Sequence, residues 1–326
     1  MVPKPAAHML PEPAPGVPAV DLSRPFMPEP LTPLFHAPGY RRLGPAPRLR
    51  YNQLHAMYVN EQILFFEDAL AENILGALLR EPIPARLAVG LFRFREDEAR
   101  HSAMFRELNR RCAPEAYATA DFRFVRVGPA GRRALQWVGS RPRRFPLLVW
   151  LMLMLEERAL HFARETLRDA RRLEPHFVMT HRRHLRDEAH HVQWDQDILD
   201  WLWPRTRLAV RRLNAGLFGW LVGEFFNVPR RGAVAVLRQL ARECPEVAAE
   251  VPALTRELRG LAGEERFHLT LYSREIVPRT FRRFDACPEF AAMGRVLRGY
   301  RPAGPGAPCM PAPAPGARGA EPGARG

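Results

Sequence analysis

The sequence predicts an all-α protein built on a four-helix bundle, with additional C-terminal helices. Four long windows contain no proline and are rich in Leu, Ala, Arg and Glu, residue types that favour helices. Apolar residues in these windows recur at helical spacing, without the alternation that is typical of strands. The breaks within each pair of windows are short, which favours two antiparallel helix hairpins.

Prolines mark where the bundle begins and ends, because proline inside a helix removes a hydrogen bond and clashes with the preceding turn. Thirteen of the 33 prolines fall in residues 1–47, so we expect a Pro-rich, largely irregular N-terminal segment. Residues 48–203 are predicted to form the bundle. Its four helices are expected within residues 48–81, 85–113, 147–174 and 176–203.

The remaining residues fall into a crossover and two C-terminal regions. Residues 114–146 join the two hairpins and are expected to contain a short helix near 130–140. Residues 204–300 are predicted to form a helical layer that packs on the bundle, or that could form a homodimer contact. The Pro/Gly/Ala-rich residues 301–326 are predicted to be a disordered tail. Helices of the layer are expected near residues 207–226, 233–243 and 252–277.

Composition argues against several classes of protein. The chain has 326 residues and a formal charge of +14, but Lys4 is its single lysine and the arginines are spread along its length. No basic stripe with interleaved aromatic residues accompanies them, so no nucleic-acid partner is expected. The longest apolar run, residues 145–155, is too short to span a membrane, and we expect no membrane association. The scattered cysteines and the proline-rich start, unlike a secretory signal, indicate a cytoplasmic protein.

One chemical pattern occurs twice in the predicted bundle. A lone glutamate, Glu67, precedes Asp97-Glu98-x-Arg100-His101, and Glu157 precedes Asp187-Glu188-x-His190-His191. Matched positions differ by 90 residues, and 31 residues separate each lone glutamate from the glutamate of its Glu-x-x-His motif. A glutamate from each of two helices and a Glu-x-x-His from each of two others form a dinuclear metal site in helix bundles.

The spacing brings these side chains together for a geometric reason. Residues equally far from a tight turn lie at the same height in an antiparallel hairpin, so Glu67 is expected to face Glu98 across the interior. Within Glu98-x-x-His101 the two side chains share one helix face and can hold one metal ion. A carboxylate-rich donor set suits iron or manganese better than zinc or copper. We therefore predict a centre of two such ions.

A third histidine distinguishes the second hairpin from the first. His184 lies on the same helix stripe as Glu188 and His191, whereas the matching residue of the first hairpin is Phe94. Asp97 and Asp187 are expected to orient the metal-bound imidazoles. The predicted metal ligands are Glu67, Glu98, His101, Glu157, His184, Glu188 and His191.

Three other acidic positions receive less support from the repeat. Glu61 is an alternative to Glu67 as the first ligand, although its partner at the 90-residue offset is Leu151. Glu156 is matched by Phe66 and is expected to point away from the site. The third Glu-x-x-His, Glu265 to His268, has no matching hairpin glutamate and is interpreted as packing or surface.

The order of these residues resembles the non-haem diiron N-oxygenase family typified by p-aminobenzoate N-oxygenase. The string His184-x-x-x-Glu188-x-x-His191 carries this resemblance, because a third histidine ligand is the distinguishing feature of that family. The resemblance covers about residues 50–200. It implies a ferritin-like bundle that holds two iron ions (Fe2+/Fe3+), with manganese at one site as an alternative. It also implies dioxygen as oxidant, a small-molecule amine as substrate, and stepwise oxidation of that amine through the hydroxylamine towards the nitro compound, as a reaction of secondary metabolism.

Two other functions remain open at this level. A related diiron hydroxylase could act on carbon of a small or carrier-bound substrate, and a ferritin-like ferroxidase could handle iron. No flavin, nicotinamide or iron–sulfur motif occurs in the sequence, so an external electron donor is required.

Overall fold

Four long helical segments form the centre of the molecule. The computed structural model describes residues 19–228 and 231–302, and all regular secondary structure in these residues is helical. The all-α prediction is confirmed. The bundle comprises α1 (Pro45–Phe66), a π-helical segment (Glu67–Ala71), α2 (Glu72–Leu78), α3 (Ala85–Cys112), α5 (Leu147–Arg168) and α6 (Pro175–Leu202), with α4 (Pro129–Gly139) in the crossover.

Each hairpin consists of consecutive helices that pack on one another. The π-helical segment continues α1 into α2, and this first arm packs on α3. Helices α5 and α6 form the second hairpin, and α3 packs against α6 to join the two hairpins. Helix α6 begins at Pro175, and the Glu174 carboxylate caps it by accepting a hydrogen bond from the Phe177 backbone N–H at 3.1 Å. The helices expected from the four proline-free windows are all present.

The C-terminal helices cover the outside of the bundle. Helices α7 and α11 pack on α5, and α8 packs on α1. A single helix over residues 252–277 was a wrong expectation, because the chain leaves the α-helix at Leu261–Gly263, next to Gly260. The helices of this layer are α7 (Leu208–Phe225), α8 (Arg231–Glu243), α9 (Val251–Gly260), α10 (Glu265–Leu271) and α11 (Pro278–Asp285).

The described part of the N-terminal segment is irregular but well packed. Residues 19–44 contain three short 3-10 turns and bury several apolar side chains. The Phe26 ring stacks on Phe177 of α6 with ring centroids 4.2 Å apart, and the Asn52 side chain hydrogen-bonds the backbone of Phe26 and Met27. This segment therefore closes one end of the bundle. Residues 1–18 and the predicted tail from residue 303 onward lie outside the described residues.

None of the helices in the described ranges combines the length and apolarity that a membrane span requires.

A buried histidine lies in α1, away from the predicted metal ligands. His55 is 3% exposed and its ring packs between Tyr51 and Tyr58, with ring centroids 5.7 and 5.5 Å away. Its Nδ1 atom has no hydrogen-bond partner among the described residues. Burial, with a smaller contribution from the positive charge of Arg158, lowers the pKa of His55 from 6.5 to about 3. His55 is therefore neutral in the folded protein.

This histidine should make stability depend on pH. The pKa of His55 is lower in the folded state than in the unfolded state. The stability that neutral His55 contributes is therefore fully present above the unfolded pKa and is lost as the pH falls towards the folded pKa. A shift of this size removes about 2 kcal/mol of unfolding free energy between about pH 7 and about pH 5. We expect His55→Phe to remove that part of the fall, measured by urea unfolding of the metal-free protein. The exposed His190, changed to Phe, is the control; equal slopes for wild type and His55→Phe would contradict the assignment.

Candidate metal centre

Seven buried donor side chains converge between the two hairpins. The π-helical segment supplies one, α3 two, α5 one and α6 three, and each is at most 4% exposed. Their donor atoms form three overlapping groups, within each of which the atoms lie within 4.8 Å of one another. The groups are Glu67 with His101 and His184, Glu98 with His101 and His191, and Glu156 with Glu188 and His191.

Glu188 lies at the centre of this cluster. Its Oε1 atom is 2.6 Å from His184 Nε2, and 3.6 Å from Nδ1 of both His101 and His191. On the other sides of the cluster, Glu98 Oε1 lies 3.1 Å from His191 Nδ1, and Glu67 Oε1 lies 3.6 Å from His184 Nε2. One carboxylate thus faces three imidazoles supplied by two helices.

Several donor atoms of the cluster lack a hydrogen bond. Both oxygens of Glu188, Oε2 of Glu98, and Nδ1 of His101 and His191 are buried without a partner of acceptable geometry among the described residues. Burying such groups unpaired is costly, so a bound cation would compensate for it. The donor set, four carboxylates and three imidazoles, fits iron or manganese.

The pKa values of the cluster show how it holds charge without a metal. Burial raises the pKa of Glu67 to about 8 and raises that of Glu156 well above its ordinary value. Burial alone would lower the pKa of His184, but the carboxylates of Glu188 and Glu67 outweigh this effect and raise it to about 10. Protons therefore occupy some of the donor positions, and metal binding would release them.

Each motif contains an aspartate that contacts the histidine of the other motif. His101 Nε2 lies 3.1 Å from Asp187 Oδ2, and His191 Nε2 lies 3.4 Å from Asp97 Oδ2. Each aspartate thus contacts the histidine of the other helix, and in both histidines Nδ1 is directed to the cluster glutamates. Arg100 pairs with both aspartates. The expectation that Asp97 and Asp187 orient the imidazoles is consistent with these contacts.

The structure does not bring Glu157 into the cluster. Its carboxylate accepts hydrogen bonds from the backbone N–H groups of Arg279 and Thr280, both at 2.8 Å, and from the Thr280 hydroxyl at 2.8 Å. These donors lie in the first turn of α11, where the helix dipole favours a negative charge. Glu157 therefore anchors α11 to α5.

Glu156 takes the position in the cluster that the repeat predicted for Glu157. The expectation that Glu156 points away was wrong. Adjacent residues of an α-helix point about 100° apart, so the two carboxylates cannot face the same side of α5. The equal spacing of 31 residues led to the wrong residue because the first arm contains the π-helical segment and α5 does not. The same number of residues therefore does not turn the side chains by the same angle in the two hairpins.

Glu61 is also held outside the cluster. It accepts hydrogen bonds from the backbone N–H groups of Arg123, Phe124 and Val125 at 2.7–2.9 Å, and from the Tyr117 hydroxyl at 2.7 Å. Four donors satisfy this carboxylate completely, so it fastens the crossover to α1. Glu67, in the π-helical segment, is the carboxylate that the first arm presents to the cluster.

Sequence reasoning missed two further polar neighbours of the cluster. The Ser102 hydroxyl lies 3.0 Å from Glu67 Oε2, and nothing in the repeat marks this residue. Asp195 is fully buried and neither of its oxygens has a hydrogen-bond partner among the described residues. Its position four residues after His191 continues the stripe of α6 and could have indicated it.

Aromatic rings close the sides of the cluster. The Phe94 ring lies against the His191 imidazole with centroids 4.2 Å apart, and Phe105 meets His184 edge-on at 5.1 Å. Both phenylalanines are fully buried. They limit water around the two histidines and reduce the freedom of the imidazole rings.

Comparison with known proteins agrees with this geometry. None of the curated proteins compared with the chain matches it significantly. The family model described as p-aminobenzoate N-oxygenase AurF matches residues 14–264, a range that includes every donor of the cluster. Because this match spans most of the chain, the protein belongs to the p-aminobenzoate N-oxygenase family and is an oxygenase.

Proposed function

We propose that the protein is a non-haem diiron N-oxygenase that oxidises the amino group of a small-molecule amine, through the hydroxylamine towards the nitro compound, in secondary metabolism. The observation that carries this proposal is the buried cluster of four glutamates and three histidines in a chain of this family. Dioxygen is the oxidant, and an external donor supplies electrons.

The three donor groups suggest how two ions would be held. Glu67, His101 and His184 would hold one ion, and Glu156, Glu188 and His191 the other. Glu98 belongs to a group that contains a histidine from each side, so it would contact both. The extra imidazole of His184 makes the two positions unequal. This set replaces Glu157 by Glu156 in the ligands expected from the sequence.

The protein contributes positioning and protection. Bound iron would supply the two-electron chemistry with dioxygen that no side chain of this cluster can perform. Asp97 and Asp187 hold the outer nitrogens of two imidazoles, which keeps Nδ1 of each directed inward. Phe94 and Phe105 exclude water beside the histidines, which protects reactive species from unwanted hydrolysis and quenching.

The first prediction concerns metal content. After anaerobic loading and desalting, we expect wild type to retain two iron atoms per chain, whereas Glu98→Ala and Glu188→Ala retain fewer, because each loses a central carboxylate of the cluster. Iron and manganese are both measured by elemental analysis, and circular dichroism confirms that the variants remain helical. One iron or none in wild type would exclude the dinuclear mechanism.

The second prediction separates two neighbouring glutamates. We expect Glu156→Gln to lose bound iron with little loss of stability, because it removes a charged donor from the cluster. Glu157→Gln should keep its iron but lose about 1–3 kcal/mol of unfolding free energy, because it weakens charged hydrogen bonds to α11. Iron analysis and urea unfolding of the metal-free variants measure the two effects. The reverse pattern would restore Glu157 as the ligand.

The third prediction concerns the product. With an aromatic primary amine, dioxygen and a chemical reductant, we expect the iron-loaded protein to form the hydroxylamine first and the nitro compound later. Mass spectrometry with labelled dioxygen identifies the oxygenated atom. Oxygen on carbon instead of nitrogen would favour a diiron hydroxylase, and iron oxidation without an organic product would favour a ferroxidase.

A further inference from the structure

A surface cleft lies between α3 and α6, directly outside the cluster. It has a volume of about 490 Å³, and both His101 and Asp187 contribute to its wall. We infer that this α3–α6 cleft is the docking site of an acidic, one-electron carrier protein. The inference rests on the proposed function, because a diiron oxygenase needs electrons from outside the chain.

The orientation of His101 separates electron transfer from substrate binding. The Nδ1 atom of His101 faces the cluster, 3.6 Å from Glu188, whereas Nε2 faces Asp187, 3.1 Å away. A molecule in the α3–α6 cleft therefore approaches the outer edge of the imidazole, and the ring stands between it and the metal donors. That position suits an electron carrier and does not suit a substrate that must meet activated oxygen.

Two aspartates connect the protein surface to imidazoles of the cluster, and the one in the cleft is the more exposed. Asp187 and Asp97 each contact one imidazole, but the Asp187 side chain is 34% exposed and that of Asp97 is 15% exposed. One hydrogen-bonded pair, Asp187 and His101, thus connects the surface to the donor atoms.

Unpaired positive charge beside the cleft selects an acidic partner. Arg182, Arg183 and Arg186 are exposed on neighbouring turns of α6, and none has an ion-pair partner in the part of the chain that the structure describes. Of the other two arginines in the cleft wall, Arg111 is paired with Glu107 at 2.7 Å, and Arg100 is paired with Asp97 and Asp187. The three α6 arginines therefore carry the excess charge. Complementary charge steers association and raises its rate at low ionic strength.

The wall of the cleft contains apolar side chains that an interface can use. Met179 is 48% exposed, and Met104 lies near it in the wall. Methionine and arginine are both enriched in protein interfaces, and complexes of electron carriers are small and transient. A methionine patch beside arginines therefore fits a carrier protein with a ring of carboxylates.

Reduction of one diiron centre requires two encounters with a one-electron carrier. Reduction of a diferric centre takes two electrons, and a [2Fe–2S] ferredoxin gives up one as it passes from its reduced to its oxidised form. Two reduced carriers are thus oxidised for each centre that is reduced, without the transfer of an atom.

The test uses the full-length, iron-loaded protein and an acidic [2Fe–2S] ferredoxin as probe. The dissociation constant is measured by calorimetry at about 0.02 M and about 0.5 M salt, conditions that differ strongly in screening. The variant is Arg182→Glu with Arg183→Glu. The matched control is Arg133→Glu with Arg212→Glu, which changes two exposed arginines of α4 and α7 and gives the same net charge. Reduction of the centre by dithionite, which requires no docked protein, is timed in each sample.

We expect wild type and the control to bind the ferredoxin at low salt and to lose it at high salt. The α6 variant should bind roughly tenfold or more weakly, with a dithionite rate within about twofold of wild type. Absence of binding in wild type, equal loss in the control, or unchanged binding in the α6 variant would each overturn the inference. A selective loss of amine affinity in the α6 variant would also overturn it and identify a substrate site. Missing iron in wild type would instead overturn the proposed function, which iron analysis of the same samples detects.

Discussion

The burial of seven clustered glutamate and histidine side chains inside one bundle is the constraint on which the rest of the structure depends. Four carboxylates brought into an apolar interior repel one another and lose their hydration, which helices alone cannot compensate. Three imidazoles, two outer aspartates and Arg100 surround them, and several donor atoms still have no hydrogen bond of acceptable geometry from the described residues. These unpaired, buried donor atoms favour the binding of cations. The C-terminal helices α7 and α11 pack on α5, the helix that carries Glu156.

Not every buried glutamate of the bundle belongs to the donor cluster. Glu61 and Glu157 accept hydrogen bonds from backbone N–H groups, each from a segment that the bundle must hold in place. Within residues 19–228 and 231–302, Glu67 and Glu156 have no such set of backbone donors, and both lie in the cluster. The division follows one rule: a carboxylate with enough backbone donors is structural, and one without them is a ligand candidate. This rule distinguishes residues that a count of acidic positions treats alike.

Much of this arrangement could be predicted because helical periodicity is a local property of the sequence and the repeat is visible in the spacing of the residues. The helix windows follow from proline positions, and six cluster residues follow from the repeat and from the stripe of His184, Glu188 and His191. The placement of Glu156 could not be predicted, since the partner that holds Glu157 lies 122 residues further along the chain. The packing of residues 19–44 could not be predicted, because their prolines indicate only an irregular segment, whereas Phe26 and its neighbours fill the end of the bundle. The break near Gly260 likewise depends on glycine, a weak signal within an apolar pattern.

The crosswise pairs of Asp97 with His191 and Asp187 with His101 have a consequence for the alignment of the two hairpins. Apolar contacts between α3 and α6 tolerate sliding, since one ridge of leucines resembles the next. Two reciprocal polar pairs do not, because a shift of one helical turn would move each aspartate about 5 Å from its histidine and break both pairs together. Buried polar contacts are known to select one register in helical assemblies. The bundle can therefore hold its donors at matching heights before any ion arrives, so that a metal meets a template that is already aligned.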